Sequence, residues 1–275
     1  MSIFKPTITN TLSRAFGKFA NFKFFKPLQR LINLIYVKTM GVDLREFDDI
    51  DSYETLNLLF TRKLKKPRQF NEDKNIFISP CDSLITEEGD LYANRAIQIK
   101  GFYYDIDALL TSNISQENRQ KIYNGKFINF YLSPKDYHRY HAPIDMQILK
   151  AIHIPGLLYS VNLKYLNKIM DLFVKNERVV LECKTIKGKL FYMVFVGAMN
   201  VGKMKFNFDD RIQTNYKKDV MTTYMYGDIV LKKGEELGRF EMGSTIVMFF
   251  EKDMVELLKN KMTKVKYGDP IAKIV

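Results

Sequence analysis

Three short stretches of this 275-residue chain carry side chains able to do chemistry. Ser79-Pro80-Cys81-Asp82-Ser83 sets an aspartate in a turn after the apolar run Ile76-Phe77-Ile78. Tyr131 to Pro143 holds two of the three histidines, His138 and His141. Phe240 to Ile246 contains Gly243-Ser244-Thr245. An aspartate, a histidine and a serine are the parts of a base-activated hydroxyl, in which imidazole takes the proton and carboxylate orients the imidazole. Each stretch also has an ordinary reading: aspartates in turns bond their own backbone, and Gly-Ser-Thr is common at strand starts. The three-residue offset puts the histidines on one side of a helical turn, but on opposite faces of a strand. His153, within Ile152-His153-Ile154, reads as a packed structural residue.

Composition narrows the classes. Lys plus Arg number 43 against 31 Asp plus Glu, a formal net charge of +12, with 46% hydrophobic and 27% charged residues. That is globular usage and excludes a mostly disordered chain. Cys81 and Cys183 form no CxxC pair, and with three histidines no metal site is expected. A reduced, cytoplasm-facing compartment follows from the cysteine usage. No stretch approaches the ~18–20 apolar residues of a membrane span, and no signal peptide is visible. The charge would suit nucleic acid, yet no helix-turn-helix, zinc-finger spacing or RNA-binding signature occurs, so none is expected. Neither GxGxxG after a strand nor a Walker-type loop is present, which leaves nucleotide binding without support.

The elements that must position these residues fall into two textures. Residues 1–42 hold seven basic side chains, six phenylalanines and no acid. Leu12, Phe16 and Phe19, and then Leu28, Leu31, Ile32 and Ile35, follow helical spacing. A basic amphipathic segment of this kind suits an anionic membrane surface, with Phe22, Phe24 and Phe25 inserting; the alternative is a helical hairpin whose phenylalanines fill the core. Acids from Asp43 to Glu54, an apolar patch at Leu56–Phe60 and bases from Arg62 to Arg68 suit the two ends of one helix, stopped by Pro67. No chemistry is assigned to it. From about residue 76, short β-rich runs alternate with turn signals: Ile76–Ile78, Phe127–Leu132, Val179–Leu181, Phe191–Val196 and Thr245–Phe250. The expected class is α+β, with a basic helical part at 1–75 and an antiparallel sandwich or barrel-like catalytic part at 76–275.

The motifs, taken together, resemble the pyruvoyl-dependent phosphatidylserine decarboxylases of the prokaryotic type. The strongest match is Tyr131 to Pro143, with its His138-Arg139-Tyr140-His141 core. Met242-Gly243-Ser244-Thr245 is similar to the family's Leu-Gly-Ser-Thr processing site. Phe60-Thr61-Arg62-Lys63-Leu64, Pro155 to Asn162, Asn176-Glu177-Arg178 and Val196-Gly197-Ala198 match in family order. The departures are Met242 for Leu, and Cys81 and Ser83 for Ala and Gly around Asp82.

The resemblance implies a self-cleaving precursor. Ser244 Oγ would attack the Gly243 carbonyl, His141 would remove the hydroxyl proton, and Asp82 would hold the imidazole in the required tautomer. Elimination would then separate residues 1–243 from a 32-residue chain, 244–275, whose Ser244 becomes the covalent pyruvoyl cofactor. That ketone would form a Schiff base with the serine headgroup and act as electron sink for CO₂ loss, with His138 protonating the carbanion. The implied partners are phospholipid and an anionic membrane at the cytoplasmic face, with a homo-oligomer left open. Two other readings stay open: an unprocessed, inactive membrane-binding module, and a pyruvoyl decarboxylase of a soluble amino acid.

Overall fold

Strands buried on both faces read as continuous apolar runs, and Leu190–Val196 and Ser244–Phe250 are of this kind. The computed structural model describes residues 8–99, 102–198, 203–215, 220–241 and 244–275. Among them, those two strands lie inside an open nine-stranded antiparallel sheet. Its path runs Thr222–Met225, Met146–Ile154, Arg178–Thr185, Leu190–Val196, Ser244–Phe250, Lys126–Leu132, Ser83–Asp90, Lys264–Val265; Val230–Leu231 pairs beside Met146–Ile154. The two ends of this path do not pair, so the described strands close no barrel.

Alternation along Ser244–Phe250 divides the core. Ile246, Met248 and Phe250 pack with Phe77, Tyr140, Phe240 and Ile271, which come from two three-stranded sheets. Val247 and Phe249 pack on the other face with Tyr104, Leu109, Phe173 and Phe60. The expected mixture of helices and antiparallel strands is present. The second face, however, is covered by helices and a hairpin rather than by a facing sheet.

The N-terminal part folds as α1 (Ile8–Asn21), α2 (Lys26–Met40) and α3 (Leu56–Phe60). Pro27 opens α2, and Gly41 closes it at a left-handed φ of 70°. The burial of α2 is inverted. Gln29, Asn33 and Tyr36 face inward, whereas Leu31, Leu34 and Ile35 face out. Gln29 Oε1 has no hydrogen-bond partner, but the inward amide nitrogens are bonded: Gln29 donates to Asn33 Oδ1 at 2.8 Å, and Asn33 donates to the Tyr53 carbonyl at 2.9 Å. Among the described helices none is long and apolar enough to cross a membrane.

The single helix expected between Asp43 and Pro67 does not form. A short 3-10 turn at Ile50–Ser52 is followed by the five-residue α3, capped by Thr55, whose hydroxyl accepts from Leu58 N–H at 3.1 Å. The two arginines of the basic run have partners outside any such helix, Arg68 on Glu46 and Asp82. Arg62 is buried and donates to the Lys135 and Asp136 carbonyls at 2.7 and 3.2 Å.

Candidate active site

Strand pairing sets the histidine strand in one of the three-stranded sheets and Ser244 at the start of a strand of the large sheet. Arg139–His141 pairs with Glu236–Glu241, matching His141 to Glu236 and Arg139 to Arg239. The next strand pairs Ser244 with Leu132 on one side and Thr245 with Val196 on the other. The loop leaving Leu132 returns as the histidine strand, and Phe240 N–H, four residues before Ser244, donates to the His138 carbonyl at 2.9 Å. Met242 and Gly243 lie outside the described residues, and of Ser244 only the backbone is described.

The histidines have different surroundings, His138 in the loop just before the strand and His141 at its end. His138 is fully buried, with the Phe60 ring 3.9 Å away between centroids. Its Nδ1 lies 2.8 Å from the Asp136 carbonyl, and its Nε2 has no hydrogen-bond partner. His141 Nδ1 lies 2.9 Å from the Gly234 carbonyl, and its Nε2 lies 3.0 Å from the Tyr137 hydroxyl. A carbonyl can only accept, which assigns the Nδ1–H tautomer to both rings and leaves each Nε2 unprotonated, that of His141 accepting from the Tyr137 hydroxyl and that of His138 unpartnered. Burial pushes His138 down to about 3, with the Arg62 cation adding to the effect, and burial pushes His141 down to about 4. Both are therefore neutral bases at pH 7.

Asp82 stands close by but does not hold the imidazole, contrary to the arrangement the resemblance implies. The Gly234 carbonyl takes that place. Asp82 instead accepts from both Arg68 terminal nitrogens and from the Tyr267 backbone N–H at 2.8 Å. Arg68 is held on its other side by Glu46, at 2.9 Å through each oxygen. Neither Asp82 nor Ser83 is among the residues with positive φ, so the turn accommodates serine without strain. A cleft of about 510 Å³ opens at Asp82, lined also by Tyr131, Ser133, Lys135, Asp136 and Lys264.

The remaining motifs wall the other side of Ser244. Asn176 Nδ2 donates to the Gly197 and Tyr159 carbonyls at 2.8 Å each, and Gly197 N–H donates to the Glu177 carbonyl at 2.8 Å. This knot sits next to Val196, the partner of Thr245. His153 is buried in a 2.8 Å contact with Glu177.

Residues 56–273 match the phosphatidylserine decarboxylase family. The chain is 49% identical over 265 residues to the phosphatidylserine decarboxylase proenzyme of Helicobacter pylori (strain J99), covering 96% of this chain and 97% of that one. It is 48% identical to the proenzyme of Campylobacter jejuni, covering 94% and 97%, and 38% identical to that of Pseudoalteromonas translucida, covering 96% and 93%. The chain belongs to the phosphatidylserine decarboxylase family.

Against that family pattern, sequence reasoning missed Arg68, Tyr137, Gly234 and Tyr267 around the Asp82 and His141 side chains. Arg68 sat in a basic run that reads as solvated, and Tyr267 is remote in sequence from every motif. Only Tyr137 carried a signal, as part of the Tyr131 to Pro143 block.

Proposed function

We propose that this chain cuts itself between Gly243 and Ser244 and then decarboxylates phosphatidylserine to phosphatidylethanolamine while docked peripherally on the cytoplasmic face of a membrane. The observation that supports the reading is the pairing of the histidine strand with Glu236–Glu241, which ends three residues before Ser244, together with the unprotonated Nε2 of His141. His141 Nε2, released by the Tyr137 hydroxyl, takes the Ser244 hydroxyl proton. The oxygen attacks the Gly243 carbonyl carbon, the C–N bond breaks, and the imidazolium returns its proton to the departing nitrogen. An ester results. Loss of the Ser244 α-proton then expels the Gly243 carboxylate, and water replaces the nitrogen of the dehydroalanine, releasing ammonia and leaving a pyruvoyl group.

The surroundings suit that group. His138 Nε2 and Thr245 Oγ1 are buried without hydrogen-bond partners, and an apolar lining would leave no such open valences. The group supplies an electron-withdrawing carbonyl for the pair left as CO₂ departs. As a neutral base, His138 accepts a proton from the headgroup ammonium and returns it to the carbon that lost CO₂. Lys135 and Lys264 bring positive charge to the adjoining cleft, which suits a phosphodiester.

Membrane docking is supported by the inverted α2. Leu31, Leu34 and Ile35 face outward beside Phe22 and Phe25, which are 59% and 69% exposed. Lys18, Lys26 and Lys38 ride on the same two helices. Phe24 is half-buried, with Phe22 and Phe19 at 4.7 and 5.5 Å, so Phe22 and Phe25 are the inserting pair. Intact-mass measurement of purified protein tests the reading: a 32-residue chain with a blocked N-terminus is expected, together with CO₂ release from phosphatidylserine vesicles. An active preparation that is entirely uncleaved overturns the mechanism. Equal activity on free serine without lipid would move the substrate class to soluble amino acids.

A further inference from the structure

Tyr267 occupies the place between Asp82 and His141. Its backbone N–H donates to Asp82 Oδ1 at 2.8 Å, and its ring lies on the imidazole with centroids 3.6 Å apart and planes 15° from parallel. Its hydroxyl donates to the Gly234 carbonyl at 2.9 Å, the same oxygen that receives His141 Nδ1–H. One residue thus touches the carboxylate, the imidazole and the imidazole's acceptor. Asp82 is fixed from behind by Arg68 and Glu46, and among the described residues the hydrogen bond from Tyr267 N–H is what links its carboxylate toward the histidine.

We propose that Tyr267 is the positioning residue through which Asp82 acts on His141 during self-cleavage. The inference rests on His141 being the base. The stacked ring fixes the imidazole plane and covers one face against water, while the shared Gly234 carbonyl fixes the tautomer. Tyr267 and Asp82 approach from the segments around the Lys264–Val265 and Ser83–Asp90 strands, Glu236 from the paired strand, and Tyr137 and Arg139 from the histidine's own loop and strand. Glu236 and Asp82 favour the imidazolium and Arg139 opposes it, but exclusion of water outweighs them and holds His141 down to about 4. Tyr267 lies in 244–275, so after cleavage the small chain clamps a histidine of the large one.

The test follows self-cleavage of the full chain, made by cell-free translation, between about pH 4 and 8. Unchanged protein is compared with Tyr267→Phe, Tyr267→Leu, Tyr267→Met and His141→Ala. Tyr267→Phe keeps the ring and should keep the acid limb of the rate profile. Tyr267→Leu should slow cleavage roughly 10- to 100-fold and move the acid limb upward by about one pH unit or more, as water reaches the imidazole. Tyr267→Met keeps bulk without a flat ring and decides the matter if the leucine variant fails to fold. An unchanged rate and acid limb in the folded variants overturns the inference. Undiminished cleavage by His141→Ala instead removes the reading beneath it.

Discussion

The Tyr36 hydroxyl donates a 2.6 Å hydrogen bond to the Pro134 carbonyl, tying α2 to the loop that carries His138 across 98 residues of chain. Phe60 of α3 packs on the His138 ring, and Arg62 holds two carbonyls of the same loop. The N-terminal helices and the loop that carries His138 are therefore one packed unit. Tyr36→Phe removes one hydrogen bond, worth about 1 kcal/mol. It should lower the unfolding temperature by roughly 2–4 °C and reduce decarboxylation more than self-cleavage, because His141 sits on a paired strand and His138 on the loop. Equal losses in both assays would detach Tyr36 from His138.

The two histidines should separate by assay. Ser244→Ala leaves no hydroxyl to attack, so a single inactive chain is expected on a denaturing gel. His141→Ala and Asp82→Asn should block cleavage or slow it severely. His138→Ala should still mature, at least in part, and decarboxylate poorly. The opposite pattern would exchange their roles.

The rate of self-cleavage should persist to lower pH than free imidazole allows, while the stability of the fold declines. An unfolded histidine takes up its proton near pH ~6.5, whereas His141 and His138 are held down to about 4 and about 3 in the fold. Below the unfolded value the native state binds fewer protons. The stability from these groups is therefore full above pH ~6.5 and is lost as pH falls toward the folded values. Self-cleavage should keep its rate down to about pH 5 and halve close to 4. A half-point at 6.5 in a rate–pH series would mean that His141 is open to water.

Vesicle co-sedimentation checks the docking face. Binding to anionic bilayers should weaken with salt, as the Debye length falls from ~10 Å at 0.1 M to ~3 Å at 1 M, leaving a salt-resistant remainder from inserted side chains. Leu31→Ser, Leu34→Ser and Ile35→Ser together, or Phe22→Ser with Phe25→Ser, should remove that remainder without lowering the unfolding temperature. Those side chains are already in water. A drop in stability without loss of binding would place them in a core.

Gly234 admits no side chain. Its φ is +83°, and a Cβ would come within 2.4 Å of the Phe70 ring and 3.2 Å of the Tyr267 hydroxyl. Its carbonyl also orients His141. Gly234→Ala combines left-handed strain with displacement of Phe70 and should cost at least ~1 kcal/mol. Slowed cleavage with lowered stability is the expected outcome, read by gel and thermal unfolding; a normal rate would show that the Gly234 carbonyl is dispensable.

The sequence by itself determined the positions of the main strands and singled out the candidate chemistry-bearing residues. Asp82, His138, His141 and Ser244 stand in stretches that match the family's motifs in order, and that resemblance implies one reaction, whereas Phe191–Val196 and Thr245–Phe250 are strands because continuous apolar runs must be buried on both faces. It could not determine which groups touch. Asp82 and His141 are joined through Tyr267, and Arg68 turns from a solvated base into the carboxylate's anchor, because each contact spans many residues and depends on strand register. The inversion of α2 was likewise illegible. Periodicity marks an apolar stripe, but only packing decides that Gln29, Asn33 and Tyr36 turn inward to hydrogen-bond partners while Leu31, Leu34 and Ile35 meet solvent.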